Sequence, residues 1–243
     1  LAGACTSGPE DSATTGSKHQ ELTYQYTAFT QLDPQRVSDG APIAGQNLLE
    51  GMVTPNAEGT GVVPATADTW TVSQDGTVYT FHIRDDARWS DGTRLTAQDF
   101  EWTYKRLLTP STRSLDSLYG SSSYQVHLGI KNAVHYQLGE VTDWSQVGVN
   151  ALDSSHLRIT LATPNANFLQ GMANTSMVPL PEKIVTRFPY SWQTPEHWMG
   201  NGPFVMKSWT PNSRMVLVPN QHYWDRKDVH LNRVNISMAQ ASD

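Results

Sequence analysis

The sequence predicts an α/β protein, and three stretches make the case. Residues 67–108 alternate as a hairpin and then switch to a helical period. Residues 147–161 alternate again, and residues 200–238 read as further paired strands behind a Gly-Asn-Gly-Pro turn. Strands and helices therefore follow one another along the chain, as they do in layered α/β folds.

Residues 21–30 form the first expected strand, with Leu22, Tyr24, Tyr26 and Ala28 alternating with polar neighbours until Leu32-Asp33-Pro34 breaks the run. After a loop at 35–45, Leu48 and Leu49 lead to Glu50-Gly51, where Gly51 suits a left-handed helix cap. In the hairpin, Trp70 and Val72 alternate with Thr69, Thr71 and Ser73. Asp75-Gly76 supplies the positive-φ turn, and Tyr79, Phe81 and Ile83 form the apolar side of the return strand. A second turn falls at Ser90-Asp91-Gly92-Thr93. The helix that follows has Thr96 as N-cap, Asp99 three residues on, Leu95 as a staple to Phe100, and Phe100, Tyr104, Leu107 and Leu108 as its buried stripe.

Thr109-Pro110 stops that helix, because proline cannot extend the hydrogen-bond ladder. Residues 115–138 are expected to be helical at both ends around a Gly/Ser-rich middle. Residues 156–161 alternate as a strand, residues 164–172 hold a short helix, and Val234 to Met238 make a last strand. No internal repeat is visible.

The chain has 243 residues, 38% hydrophobic and 16% charged, enough for one large or two small cores. Its net charge is −6, from 17 Lys and Arg against 23 Asp and Glu, with no basic run. That argues against nucleic acid and against an anionic membrane surface, both of which select clustered cations. No apolar stretch approaches the ~20 residues of a membrane-spanning helix. Eight Trp and nine Tyr are many; most should pack the core, and some suit a ligand surface.

The one cysteine, Cys5, cannot form an internal disulfide. Leu1-Ala2-Gly3-Ala4 before it reads as the tail of a bacterial lipoprotein signal, although Leu1 sits four residues ahead of Cys5 where the usual pattern has three. Cys5 is accordingly expected to carry a lipid, with the Ser/Thr/Gly/Asp-rich segment up to residue 21 as a tether; an inert thiol in a tail is the alternative.

Catalytic and metal signatures are sparse. None of the eight His falls in HExxH or another close ligand spacing, so no metal is expected. There is no G-x-S-x-G elbow, and the Gly200-Asn201-Gly202-Pro203 turn lacks the Lys-Ser/Thr of a phosphate loop. Acidic pairs such as Asp85-Asp86 sit in turns, where solvated carboxylates are ordinary.

The order of residues adds what the physics does not. Trp70-Thr-Val-Ser-x-Asp-Gly-x-x-Tyr-Thr-Phe-x-Ile-Arg84, followed by Trp89-Ser-Asp-Gly-Thr-x-Leu-Thr-Ala-Gln-Asp-Phe100, closely resembles the signature of the family 5 solute-binding proteins. These are the oligopeptide-, dipeptide- and nickel-binding receptors of bacterial ABC importers. Leu48-Leu49-Glu50-Gly51, Gly148-Val149-Asn150-Ala151-Leu152-Asp153, Gly200-Asn201-Gly202-Pro203-Phe204 and Asn220-x-x-Tyr223-Trp224 extend the likeness over residues 22–243.

The resemblance implies a periplasmic-binding-protein-like fold (type II, cluster C). Residues 22–51 and 176–243 would form a first lobe with a mixed sheet, 52–175 an inserted smaller α/β domain, and 1–21 the signal remnant and tether. It also implies that a second large lobe follows, so that this chain is the N-terminal part of a longer receptor. In relatives an extended loop before the Leu-x-Glu-Gly segment runs beside the peptide backbone; here it holds Val37, Ser38, Asp39 and Gly40. A segment after the long helix supplies an aromatic near the cleft; the matching position carries Asp116, with Tyr119 or Tyr124 as substitutes. The implied function is an extracytoplasmic, lipid-anchored, monomeric peptide receptor that serves a membrane permease and its ATPase, without cofactor or catalysis. A dipeptide, nickel-chelate or other small-solute receptor is the alternative within the family, and an extracellular hydrolase the alternative outside it.

Overall fold

The computed structural model of the chain describes residues 20–36, 43–109 and 129–239. Two four-stranded sheets organise them. The first has the order β1-β10-β9-β8, built from β1 (Glu21–Thr27), β8 (Phe204–Thr210), β9 (Arg214–Pro219) and β10 (Arg233–Ala239). β1 runs parallel to β10, and the other pairs are antiparallel, so the sheet is mixed.

The second sheet lies, in sequence, between β1 and β8. Its order is β4-β5-β7-β6, all antiparallel, from β4 (Ala67–Val72), β5 (Val78–Ile83), β6 (Val149–Ala151) and β7 (His156–Thr160). A short hairpin of β2 (Val53–Pro55) and β3 (Val62–Pro64) leads into it. The β4–β5 turn forms where expected, with Gly76 at φ +70 and the Asp75 carboxylate accepting the Thr77 N–H at 3.1 Å. Tyr79, Phe81 and Ile83 are buried, whereas Val72 is 46% exposed because it ends β4 beside the turn.

Helix α1 (Ala97–Leu108) covers the buried side of this sheet. Its capping box forms, with the Thr96 N–H and hydroxyl both donating to Asp99 Oδ2 at 2.8 Å. Leu95, Phe100, Tyr104, Leu107 and Leu108 are all buried; removing a side chain such as Phe100 would cost about 3–5 kcal/mol. Glu101, on the same helix, accepts from Trp144 Nε1 at 2.9 Å and from the Ala151 N–H at 3.0 Å, which ties β6 to it. The shorter helices are α2 (Ala133–Gln137), α3 (Phe168–Met172) and α4 (Glu182–Arg187).

One expectation fails near Glu50. The helical turn there is a π-type turn, Ala44–Leu48, and Leu49 is already extended at φ −131 and ψ 155. Gly51 is not among the left-handed glycines. The turn is closed by the Leu49 N–H to Ala44 O at 2.8 Å, and Glu50 is held by Asn201, so tertiary bonds end it without a glycine cap. Residues 110–128, which hold the first end of the helix expected at 115–138, lie outside the described residues; its second end is α2. Among the described residues no helix is long and apolar enough to cross a membrane.

Candidate functional site

Leu32-Asp33-Pro34 leaves the first sheet and enters the core, with Asp33 only 1% exposed. A carboxylate taken that far from water needs a partner of opposite charge. Arg106, in the last turn of α1, supplies it: Nη2 donates to Asp33 Oδ2 at 2.5 Å and Nη1 to Oδ1 at 3.2 Å. The fork of the guanidinium matches the two carboxylate oxygens. Arg106 Nη1 also donates to Gln35 Oε1 at 2.5 Å, and Gln35 Nε2 donates to the Thr103 carbonyl at 2.9 Å. From the other side Gln193 Oε1 accepts the N–H groups of both Leu32 and Asp33.

Arg36 is the last described residue before segment 37–42, and Thr109 the last before segment 110–128. The Asp33–Arg106–Gln35 cluster therefore fastens together the roots of two segments that the sequence singles out separately. Their far ends part again. Ile43 packs in the core, while Ile130 bridges to Leu161 beside the second sheet.

A second carboxylate, Glu50, stands at a different junction. It accepts from Tyr223 Oη at 2.5 Å, Trp224 Nε1 at 2.7 Å and Thr66 Oγ1 at 2.8 Å. Asn201 holds its backbone on both sides, accepting the Glu50 N–H at 3.0 Å and donating to its carbonyl at 2.9 Å. Arg84 stacks over the Trp224 ring at 3.7 Å. Burial pushes the Glu50 carboxyl above the ordinary carboxylate range, against the hydrogen bonds from Tyr223, Trp224 and Thr66 and the charge of Arg84. The Tyr223 hydroxyl is pushed up by burial and by the Glu50 charge.

The glycines beside Asn201 answer to close packing. A Cβ on Gly200 would lie 2.1 Å from the Leu48 carbonyl oxygen, and one on Gly202 2.7 Å from Leu48 C and Leu49 N. Glu50 and Tyr223 also border a cleft of about 340 Å³, together with Gln46, Leu49, Asn174 and Thr175.

Among proteins of known family, the bacterial extracellular solute-binding proteins, family 5 Middle, match residues 61–243. The chain belongs to that family. It is 36% identical over 189 residues to the periplasmic murein peptide-binding protein MppA of Escherichia coli, covering 78% of this chain and 34% of that protein. It is 34% identical over 205 residues to the periplasmic oligopeptide-binding protein OppA of Salmonella typhimurium, covering 84% and 36%. The crystal structure of a periplasmic oligopeptide-binding protein of Borrelia burgdorferi superposes with a TM-score of 0.82 at 32% identity, over 92% of this chain and 44% of that one. The chain thus spans about a third of the length of the curated relatives it matches.

In this family 5 chain, Val37, Ser38, Asp39, Gly40, Asp116, Tyr119 and Tyr124 lie outside the described residues, as does Cys5. The structure describes instead what anchors the first two groups, and that anchor was not legible beforehand. Asp33 and Arg106 are 73 positions apart, and Glu50 and Tyr223 are 173 apart. A buried-type aspartate in a Leu-Asp-Pro break and an arginine three residues before a helix stop are the available signals, and neither names its partner. Among the described residues no group of three or more His, Cys, Asp or Glu is placed to hold a metal ion.

Proposed function

We propose that this chain forms one wall of an extracytoplasmic peptide receptor, the substrate-binding component of an ABC importer. The observation that carries the reading is the Asp33–Arg106–Gln35 cluster, which fastens the roots of segments 37–42 and 110–128 to one rigid point. A receptor for varied peptides pairs their backbone with an extended segment and leaves room for their side chains. Val37, Ser38, Asp39 and Gly40 are assigned the backbone contact, and Asp116 with Tyr119 or Tyr124 the neighbouring contact. The peptide-binding relatives support this assignment of ligand class.

Residues 22–51 and 176–243 are assigned to the first lobe and 52–175 to the inserted domain, a division that follows sheet membership. A second lobe rotates over the bound peptide and the closed form docks on a permease with its ATPase. Cys5 anchors the receptor to the outer face of the membrane. The chain performs no bond cleavage.

With one wall alone, binding should be weak, near the millimolar range or about 4 kcal/mol. Tri- to nonapeptides added to the ¹⁵N-labelled chain should shift the amide signals of Arg36 and Ile43 at millimolar concentration, and the peptides should be recovered intact. Cleaved peptide, or no shift at those signals up to about 10 mM, overturns the proposal.

A further inference from the structure

On the solvent side of the second sheet, away from the Asp33 cluster, two histidines face each other. His82 on β5 and His156 on β7 are register partners, with ring centres 5.0 Å apart and planes at 54°. Their strand neighbours Phe81, Ile83 and Leu157 fill the core, so alternation turns both imidazoles outward; their side chains are 29% and 43% exposed. Each ring is gripped at Nδ1 by its own carboxylate, His82 by Asp68 at 2.7 Å and His156 by Asp153 at 2.9 Å. Asp153 is itself fixed, accepting the N–H groups of Ser155 and His156 at 2.7 and 2.8 Å. Among the described residues no hydrogen bond ends on either Nε2.

A carboxylate at Nδ1 holds the proton of the neutral ring there and leaves the Nε2 lone pair open, which is how metal-ligating histidines are oriented. The spacing fits as well. A metal about 2.0–2.1 Å from each Nε2 sits about 3.2 Å from each ring centre. For two rings with centres 5.0 Å apart whose Nε2 axes meet at one metal, the N–metal–N angle would be about 100°, close to tetrahedral.

We propose that His82 and His156 chelate one late first-row divalent cation, zinc, nickel or copper(II), at the outer face of the second sheet, with water completing its shell. Imidazole is a preferred ligand for all three. The two ligands come from different strands, which is why no close sequence spacing announces the site. His135, on helix α2 and paired with Glu140 at 2.6 Å, has the carboxylate but, among the described residues, no second imidazole ring packed beside it, and serves as the internal control.

The test is calorimetric titration of the untagged chain with zinc and nickel chloride, together with histidine-ring NMR. One cation per chain should bind, and substoichiometric nickel should broaden the His82 and His156 ring signals before that of His135. His82→Gln or His156→Gln should abolish the site. Asp68→Asn should weaken it about tenfold by loosening the His82 ring, and His135→Gln should leave it unchanged. Saturable binding unaltered in both ligand variants, first broadening at His135, or no binding up to about 1 mM metal overturns the proposal. The NMR arm reads the unaltered chain, so it decides the matter even where a variant folds poorly.

Discussion

Asp33 and Glu50 are two withdrawn carboxylates solved in two ways. Asp33 meets a full positive charge in bidentate contact with Arg106, itself only 10% exposed. Glu50 meets three neutral donors, and Arg84, whose charge acts on it, stacks on the face of Trp224. The first arrangement is stiff and intolerant of losing its partner, because an unpaired charge in the interior is costly. The second distributes the acceptor's needs over three residues from two distant segments, Thr66 and Tyr223-Trp224, and its carboxyl is left reluctant to ionise. The pairing at Asp33 fixes the base of the proposed ligand segments, while the network at Glu50 sews the turn at 44–48 to the strands that begin after Gly202.

The contrast can be broken most forcefully at Arg106. Arg106→Met should cost about 3–5 kcal/mol in urea unfolding, since it strands the Asp33 charge. Glu50→Gln should cost less, about 1–3 kcal/mol, because the amide NH2 faces a donor and leaves it unsatisfied. That variant also carries a pH signature. The folded Glu50 carboxyl holds its proton above the ordinary 4.5, so it favours the folded state at low pH. This contribution fades as pH rises from 4.5 through the folded value; the stability difference between the wild type and Glu50→Gln should therefore fall over that window and then level off, as read from melting temperatures at stepped pH. Tyr223→Phe removes one of the three donors and should cost roughly 1.5 kcal/mol. Arg36→Ala is the smallest: its side chain is 48% exposed and 3.7 Å from Asp33, so the loss should stay under about 1 kcal/mol. An Arg36 effect equal to that of Arg106 would erase the distinction.

The local chemistry of the fold was readable in advance where neighbours in sequence decide it. Asp75-Gly76 demanded its turn, Thr96 and Asp99 capped α1, and the alternation of Tyr79, Phe81 and Ile83 assigned the buried side of β5. Val72 escaped because alternation does not say where a strand's cover ends. Gly51 misled for a different reason: a glycine beside a helix end suggests a left-handed cap, but Asn201 performs the task from 151 positions away. The Asp33–Arg106 pair and the His82–His156 pair were hidden in the same manner, since each is made by topology and not by spacing.

The parallel pairing of β1 with β10 has a consequence for how the chain is made. β1 ends at Thr27 and its sheet partner begins at Arg233. A ribosome adding about 5–20 residues per second needs roughly 10–40 s to cover that interval. For that time the first sheet has no edge on which β1 can lie, whereas all four strands of the second sheet have already emerged once residue 160 is out. The second sheet can thus assemble during translation as a platform, and the first sheet is completed last.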